Sequence, residues 1–297
     1  MAISPTFLAA GDTILVVSPS GKADPVLLKK GCDYLLEEGF QLEIGKYAYS
    51  HHYKFAGTHE QRLEDLQWAL DHSTAKAIFC ARGGYGVTYL LDQLDWSLFK
   101  NNPKWVIGYS DITALHQSLY HHNYCSVHAS VLQSMLEQDD PAVLLSLLQG
   151  NYPDISFPSM AHDRIGEVIS DILGGNLAML INQLGTATEP VFEGKILFLE
   201  EVGEYLYHID RMFLQLKRTG MLGKLGGLII GNFSQLLENK EVFGQNVIDI
   251  VTAHCKEYNF PIAFNFPLGH ENRNWPVVHG AKVSFVVRKR EVMVSYL

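Results

Sequence analysis

Cysteine is scarce in this sequence: four residues in 297, widely spaced and without a Cys-x-x-Cys pair. Small secreted domains depend on dense disulfide frameworks, so this usage indicates reduced thiols in a reducing compartment. No 18-residue apolar run occurs, and the first residues lack the basic segment and apolar stretch of a secretory signal. We therefore expect a cytoplasmic protein with no membrane partner.

Positive charge is also in short supply. Lys and Arg number 23 against 32 Asp and Glu, which gives a formal net charge of -9, and no basic cluster is visible. Nucleic-acid-binding proteins usually concentrate Lys and Arg on one face, so nucleic acid is not an expected partner.

The chain is long enough for two domains, and 47% of its residues are hydrophobic. Residues 1–150 alternate short β-rich runs with helical patterns, which predicts an α/β domain built on a parallel sheet. Residues 151–163 are polar, contain proline and read as a linker. Residues 164–297 have fewer helical patterns and more strand candidates, which predicts a β-rich α+β domain.

Several helix ends can be predicted from capping residues. Asp24 precedes a proline and reads as an N-cap, and Thr58 with Gln61 three residues later forms a capping-box pattern. Asp140 is the expected start of a further helix. A helix that ends at about Leu94 is expected after the glycine-rich loop at residues 81–86.

Ser110 lies where a buried strand turns into a helix, at the carboxyl edge of the predicted parallel sheet. Open α/β folds place their ligand crevices at this edge. A serine there presents its hydroxyl near the positive end of the helix dipole, and the N–H of Asp111 can donate to a developing oxyanion. The alternative is that Ser110 or Asp111 merely caps the helix.

The loop Arg82-Gly83-Gly84-Tyr85-Gly86 ends a neighbouring strand at the same predicted edge. Adjacent glycines let the main chain approach a ligand closely, so this loop can supply a second oxyanion donor. The alternative is that this loop is a purely structural turn. Nucleotide binding is not favoured, because neither standard phosphate-binding glycine pattern occurs at this loop.

Two carboxylates, Glu200 and Glu201, end the predicted strand at Lys195–Leu199, and strand alternation sends them to opposite faces. Periodicity does not choose between them, and both can simply end an exposed strand. His270 follows another apolar strand, at a place where a loop can offer an imidazole to a cleft.

A histidine cluster at His116, His121, His122 and His128, with Cys125 among them, raises the question of zinc. It lacks a His-Glu-x-x-His arrangement and paired-ligand spacing, so a solvated helix end is the preferred interpretation. No metal and no organic cofactor is expected.

Seen together, these motifs resemble the LD-carboxypeptidases, or muramoyltetrapeptide carboxypeptidases, a serine peptidase family that includes the microcin C immunity peptidases. The likeness extends over nearly the whole chain. The matching segments are Phe55-Ala56-Gly57-Thr58, Arg62-Leu63-Glu64-Asp65-Leu66, Ala81-Arg82-Gly83-Gly84-Tyr85-Gly86, Gly108-Tyr109-Ser110-Asp111, Gly174-Gly175-Asn176-Leu177, Leu199-Glu200-Glu201, Asp210-Arg211-Met212 and Gly269-His270.

The resemblance implies a flavodoxin-like N-terminal domain that carries the nucleophile and a smaller β-rich C-terminal domain that carries the base and its acid. It assigns the nucleophile to Ser110, the base to His270 and its carboxylate partner to Glu200. Oxyanion donors would be Asp111 and either Gly83 or Gly84, with Gly84 favoured, and Arg82 is a candidate for binding the substrate carboxylate.

The activity implied by the resemblance is release of D-alanine from a murein tetrapeptide by cleavage after meso-diaminopimelate or lysine, during peptidoglycan recycling. A homodimer is implied by analogy. Two alternatives remain: a microcin-immunity-type peptidase acting on peptidyl or aminoacyl nucleotide conjugates, and a two-domain small-molecule-binding protein without catalysis.

Overall fold

A computed structural model describes residues 2–137, 141–271 and 273–297 of the chain. Asp140, the predicted start of the helix that precedes the linker, lies outside the described residues. The chain divides into two compact units: one contains 2–152 and Trp275–Gly280, the other Pro153–Asn274 and Ala281–Leu297. The domain limits expected from the sequence, 1–150 and 164–297 with the linker 151–163, stay a prediction.

Among its described residues, the first unit contains a six-stranded sheet and four α-helices. In chain order its elements are β1 (Thr13–Val17), α1 (Pro25–Glu37), β2 (Gln41–Ile44), α2 (His59–Asp71), β3 (Ala77–Cys80), β4 (Trp105–Gly108), α3 (Thr113–His121), β5 (Ser126–His128) and α4 (Pro141–Leu148), and it ends with the strand Val277–His279.

The sheet order of this unit explains where its loops collect. Counted from the edge, β2, β1, β3, β4 and β5 follow one another in parallel, and Val277–His279 adds an antiparallel edge strand. The order 2-1-3-4-5 is that of flavodoxin-like folds, in which the crevice opens between β1 and β3. The predicted fold class of this unit is therefore confirmed.

The described part of the second unit contains a seven-stranded mixed sheet and three α-helices. Its elements are β6 (Ile155–Pro158), β7 (Gly166–Asn176), α5 (Leu177–Asn182), β8 (Ile196–Val202), α6 (Leu206–Arg218), β9 (Gly227–Ser234), α7 (Val247–Cys255) and β10 (Ile262–Ala263); β11, the strand Val277–His279 of the first unit, comes next in the chain, followed by β12 (Lys282–Val287) and β13 (Glu291–Tyr296).

The sheet of the second unit runs in the order β10-β9-β8-β7-β12-β13-β6. Strands β10 to β7 are parallel and the remaining pairs are antiparallel. Helix α6 buries Ile209, Phe213 and Leu216, which are spaced by four and three residues and form one helical stripe against the core. The central strand β8 is buried along almost its whole length, so the two carboxylates near its end, Glu200 and Glu201, are also buried.

Capping predictions are confirmed, whereas some element predictions are wrong. Asp24 accepts from two backbone N–H groups of α1, and Thr58 forms a reciprocal capping box with Gln61. The helix expected to reach about Leu94 is instead a pair of short 3₁₀ turns. Part of the expected linker forms β6, because Ile155–Pro158 completes the open edge of β13.

Candidate active site

Ser110 occupies a strained turn between β4 and α3. Its φ is +64°, in the left-handed region that a residue with a Cβ rarely adopts, after an extended Tyr109. Such a residue costs about 1–3 kcal/mol and persists where the surrounding fold holds it, often at an active site. A sharp strand-to-helix turn of this kind exposes the serine hydroxyl at the top of the sheet, and Ser110 is half-buried.

The helix-capping interpretation of Ser110 and Asp111 is wrong. The N-cap of the short turn at Ser110–Ile112 is Tyr109, that of α3 is Ile112, and neither makes a side-chain cap. The Asp111 carboxylate instead accepts at 2.9 Å from the N–H of Val87, beyond the glycine loop. Burial raises the pKa of Asp111, while hydrogen bonds to its carboxylate and the nearby Arg62 charge act in the opposite direction.

The glycine loop passes directly against Ser110. A Cβ at Gly83 would lie 3.1 Å from the Ser110 Cβ and 3.4 Å from its Oγ, so only glycine permits this approach without displacement. The Gly83 carbonyl accepts at 3.0 Å from the N–H of Gly21, which follows β1. Gly84 is exposed, and its N–H makes no hydrogen bond with the described residues.

Arg82 leaves the same loop towards solvent. Its Nη1 donates to the Lys22 carbonyl at 2.6 Å, and this hydrogen bond restrains the orientation of the guanidinium group. Its other nitrogens donate to none of the described residues, so hydrogen-bonding capacity remains for a carboxylate.

In the other unit, His270 and Glu200 form a hydrogen-bonded pair. Glu200 lies near the end of β8 and is fully buried, and its Oε2 lies 2.7 Å from Nδ1 of His270. Burial disfavours the charged imidazole, but the hydrogen bond and the negative charge of Glu200 outweigh it and raise the pKa of His270. Since a carboxylate only accepts, Nδ1 carries a proton, and neutral His270 has its lone pair on Nε2.

Glu201, next to Glu200, has different partners. Its carboxylate accepts from the side-chain amide of Asn176 at 2.7 Å and from the N–H groups of Ala178 and Val202 at 2.8 and 2.9 Å. It therefore ties β8 to the start of α5. The two adjacent carboxylates point to different surroundings, as strand alternation predicts, and Glu200 is the one that contacts a histidine.

The loop that carries His270 is held by backbone and amide contacts. The N–H of Gly269 donates to the Asn274 side chain at 3.0 Å, and the N–H of Asn232 donates to the Leu268 carbonyl at 2.8 Å. A cavity of about 560 Å³ opens beside this loop, and polar side chains dominate its lining: Asn232, Ser234, Gln235, Asn265, Pro267, His270, Glu271 and Arg273. Apart from His270, these residues could not be predicted from the sequence as site residues: Asn232 and Ser234 lie at the end of β9, and the others lie in loops without a periodic pattern.

The interpretation of the histidine cluster as a solvated helix end is wrong for His116 and His128, which are core residues, and holds for the exposed His121 and His122. His116 and His128 are fully buried, together with His279, which the sequence pattern did not connect to them. His116 donates from Nε2 to the Gly108 carbonyl and accepts at Nδ1 from Ser126, both at 2.8 Å, and burial lowers its pKa to about 4. Within residues 2–137, 141–271 and 273–297, no group of three or more His, Cys, Asp or Glu side chains is arranged to hold a metal ion.

No helix in the described part of the chain combines the length and apolar character needed to cross a bilayer.

The fold agrees with comparisons to known protein families. The family model for the LD-carboxypeptidase N-terminal domain matches residues 14–129, and that for the LD-carboxypeptidase C-terminal domain matches residues 170–285. The two matches cover well over half of the sequence. The chain therefore belongs to the LD-carboxypeptidase family and is a hydrolase.

Curated relatives match over most of their own length. A putative carboxypeptidase of Synechocystis is 31% identical over 94% of this chain and 93% of the relative. A probable murein peptide carboxypeptidase of Bacillus subtilis is 29% identical over 98% and 94%. The murein tetrapeptide carboxypeptidase of Pseudomonas aeruginosa is 30% identical over 89% and 90%.

Solved structures show the same fold at lower identity. A muramoyltetrapeptide carboxypeptidase from Oxalobacter formigenes has a TM-score of 0.86 and 24% identity, covering 95% of this chain and 98% of that one. The microcin C7 self-immunity protein MccF, in complex with glutamyl sulfamoyl guanosine, has a TM-score of 0.87 and 20% identity over 99% and 98%.

Proposed function

We propose that this chain is a serine carboxypeptidase that removes the terminal D-alanine of murein tetrapeptides by hydrolysing its bond to meso-diaminopimelate or lysine. The observation that carries the proposal is the hydrogen bond from His270 to buried Glu200, which leaves Nε2 of His270 as a base. The strained position of Ser110 supports it as the nucleophile. The names of the Bacillus and Pseudomonas relatives support the murein substrate.

In the proposed reaction, Nε2 of His270 takes the proton of Ser110 while Oγ attacks the scissile carbonyl. The N–H groups of Gly84 and Asp111 donate to the resulting oxyanion. Glu200 orients the imidazole and stabilises its charged form. His270 then protonates the leaving amine of D-alanine, and it activates the water that hydrolyses the acyl-enzyme.

Substrate orientation would depend on the free carboxylate of the terminal D-alanine. Arg82 is the candidate for this contact, because it is exposed beside Gly83 and retains guanidinium N–H groups that contact none of the described residues. A bidentate contact of this kind gives both affinity and geometric selectivity.

The proposal is tested by D-alanine release from a purified murein tetrapeptide. Ser110→Ala is expected to abolish release and to leave the melting temperature near that of the wild type. Ser97→Ala, a change at an exposed serine outside the site, is the matched control and is expected to keep full activity. Unchanged turnover by Ser110→Ala would remove Ser110 from the mechanism and would favour a binding protein or a different nucleophile.

The second candidate is a peptidase that acts on aminoacyl or peptidyl nucleotide conjugates, favoured by the fold match to MccF. The same three side chains would serve it. Turnover of a glutamyl sulfamoyl nucleoside alongside the tetrapeptide separates the two, since the proposed function predicts a much higher kcat/KM for the tetrapeptide.

We also propose a cytoplasmic location and a homodimer. Cell fractionation tests the first, and sedimentation velocity at micromolar concentration tests the second, with a monomer as the contradicting result.

A further inference from the structure

Arg62, from the family-like segment Arg62–Leu66, is a buried cation in the first unit to which the proposed chemistry gives no role. Its side chain is 1% exposed although it lies in the amphipathic helix α2. Burying a guanidinium is costly unless its N–H groups are used. The hydrogen bonds that Arg62 makes therefore indicate which part of the structure its burial stabilises.

The guanidinium of Arg62 joins two loops at the carboxyl edge of the sheet. Its Nη1 donates to the carbonyl of Pro19, after β1, at 2.5 Å and to the carbonyl of Gly86, at the end of the glycine loop, at 2.8 Å. Its Nη2 contacts Nδ1 of His59 at 2.5 Å. Since arginine only donates, that imidazole nitrogen accepts.

The peptide bond between Gly86 and Val87 is held at both ends. Its carbonyl accepts from Arg62, and its N–H donates to the buried carboxylate of Asp111. A peptide carries a dipole whose carbonyl oxygen is the negative end, so a cation on that side and an anion on the other both favour the same orientation. Arg62 and Asp111 thus act on one peptide from opposite sides.

Close packing leaves this end of the glycine loop little freedom. Gly86 has a φ of +123°, and a Cβ added there would lie 2.9 Å from Nη1 of Arg62. At the other end, Gly83 is fixed by the N–H of Gly21. Gly84 lies between these two anchors, so the direction of its N–H depends on both.

We propose that Arg62 is a positioning residue that fixes the glycine loop so that Gly84 offers its N–H to the oxyanion beside Ser110. This inference rests on the proposed function. Arg62 touches no reacting atom in this account; it acts through the Gly86 carbonyl and, across one peptide, in concert with Asp111.

A second buried cation of the same unit provides a matched control. Lys104 is 0% exposed, and its Nζ donates to the carbonyls of Leu70 and Asn102 at 2.8 and 2.9 Å, away from the glycine loop. Loss of Lys104 should therefore lower stability without moving Gly84.

The experiment compares Arg62→Met, Arg62→Lys and Lys104→Met in kcat, KM and melting temperature with murein tetrapeptide as substrate. We expect Arg62→Met to lower kcat by about 10²–10³-fold, the loss typical of one oxyanion donor, with KM within about threefold. Arg62→Lys keeps the charge but not the fork of donors, and it should recover part of kcat. Lys104→Met should lower the melting temperature and keep kcat within about threefold.

Two results would overturn the inference: kcat within threefold of wild type in Arg62→Met, or a loss of kcat in Lys104→Met that matches the loss in Arg62→Met at equal melting temperature. If Arg62→Met does not fold, Arg62→Lys decides, since wild-type kcat in that variant also overturns it. Ser110→Ala in the same assay separates the two proposals: its activity would refute the proposed function, whereas an inactive Ser110→Ala beside a fully active Arg62→Met would refute only the role of Arg62.

Discussion

Replacing Glu200 by Gln removes one negative charge at the point where the proposed mechanism depends on it. The wild-type side chain is fully buried. Its Oε2 accepts the 2.7 Å hydrogen bond from Nδ1 of His270, and its Oε1 has no hydrogen-bond partner among the described residues. A glutamine amide has the same shape, but its NH₂ group can donate to Nδ1 and so place the imidazole proton on Nε2. In that tautomer His270 cannot accept the proton of Ser110.

The expected loss follows from this tautomer change. The corresponding change in a Ser-His-Asp triad lowers kcat by about 10⁴-fold, or roughly 5 kcal/mol of transition-state stabilisation. Stability should change little or rise, because an uncharged amide is easier to bury than a carboxylate. The melting temperature therefore distinguishes a catalytic defect from unfolding.

The pH profile gives an independent readout. Glu200 raises the pKa of His270, so in the wild type the base becomes protonated, and activity falls, at a higher pH than for an ordinary histidine. Without the charge, the pKa of His270 falls, and the acid limb of kcat/KM should move to lower pH.

Glu201→Gln is the control, since the Glu201 carboxylate accepts hydrogen bonds from Asn176 and Ala178, whereas Nδ1 of His270 is hydrogen-bonded to Glu200. The charge of Glu201 contributes to the raised pKa of His270 after that of Glu200, so the acid limb should move less in this variant. The substitution should lower stability by about 1–3 kcal/mol through weakened buried hydrogen bonds and keep kcat within a few-fold. Turnover by Glu200→Gln within threefold of wild type, with an unmoved acid limb, would refute the reasoning.

Three further predictions concern the first unit. Burial lowers the pKa of His116 to about 4, so this histidine binds a proton more readily in the unfolded chain than in the folded one. The free energy of unfolding of the wild type should therefore fall as pH drops from about 6.5 to 4. Urea titrations of His116→Gln should show a shallower fall over the same range. Burial lowers the pKa of Lys104 to about 8, so the free energy of unfolding of wild type relative to Lys104→Met should rise between about pH 8 and 10; a flat difference would contradict the burial of a charged lysine. Gly83→Ala places a methyl group against Ser110, and D-alanine release should fall by about 10²-fold with little change in melting temperature; full activity would show that the loop yields freely.

Much of the fold can be predicted from the sequence because its signals are local. The caps at Asp24 and Thr58 depend on residues within three positions of each other, and both are found in the structure. The alternation of β-rich and helical runs in the first half likewise predicts the parallel sheet found there.

Features that depend on distant residues could not be predicted in this way. The strand Val277–His279 joins the sheet of the first unit by pairing with β5, about 150 residues earlier, and no periodicity indicates that partner. β6 lies in a stretch with proline and no clear alternation, and its pairing with β13 alone makes it a strand.

The candidate site likewise has some features that are visible in the local sequence and others that depend on distant residues. Position at a strand end points to Ser110 and to the pair Glu200 and Glu201, but their different partners are visible only in three dimensions. Arg62 appears in the sequence as an ordinary cation on an amphipathic helix. Its contact with Gly86 joins residues 24 positions apart, and only the fold places the two loops within its reach.

The distance between Oγ of Ser110 and Nε2 of His270, measured in crystals of the wild-type chain with a non-hydrolysable tetrapeptide analogue bound, tests the central claim most directly. We expect these two atoms to lie within hydrogen-bonding reach, at about 2.6–3.2 Å. The mechanism would be contradicted by a complex in which the scissile group of the analogue contacts His270 while Oγ of Ser110 lies too far away to contact either His270 or the scissile group.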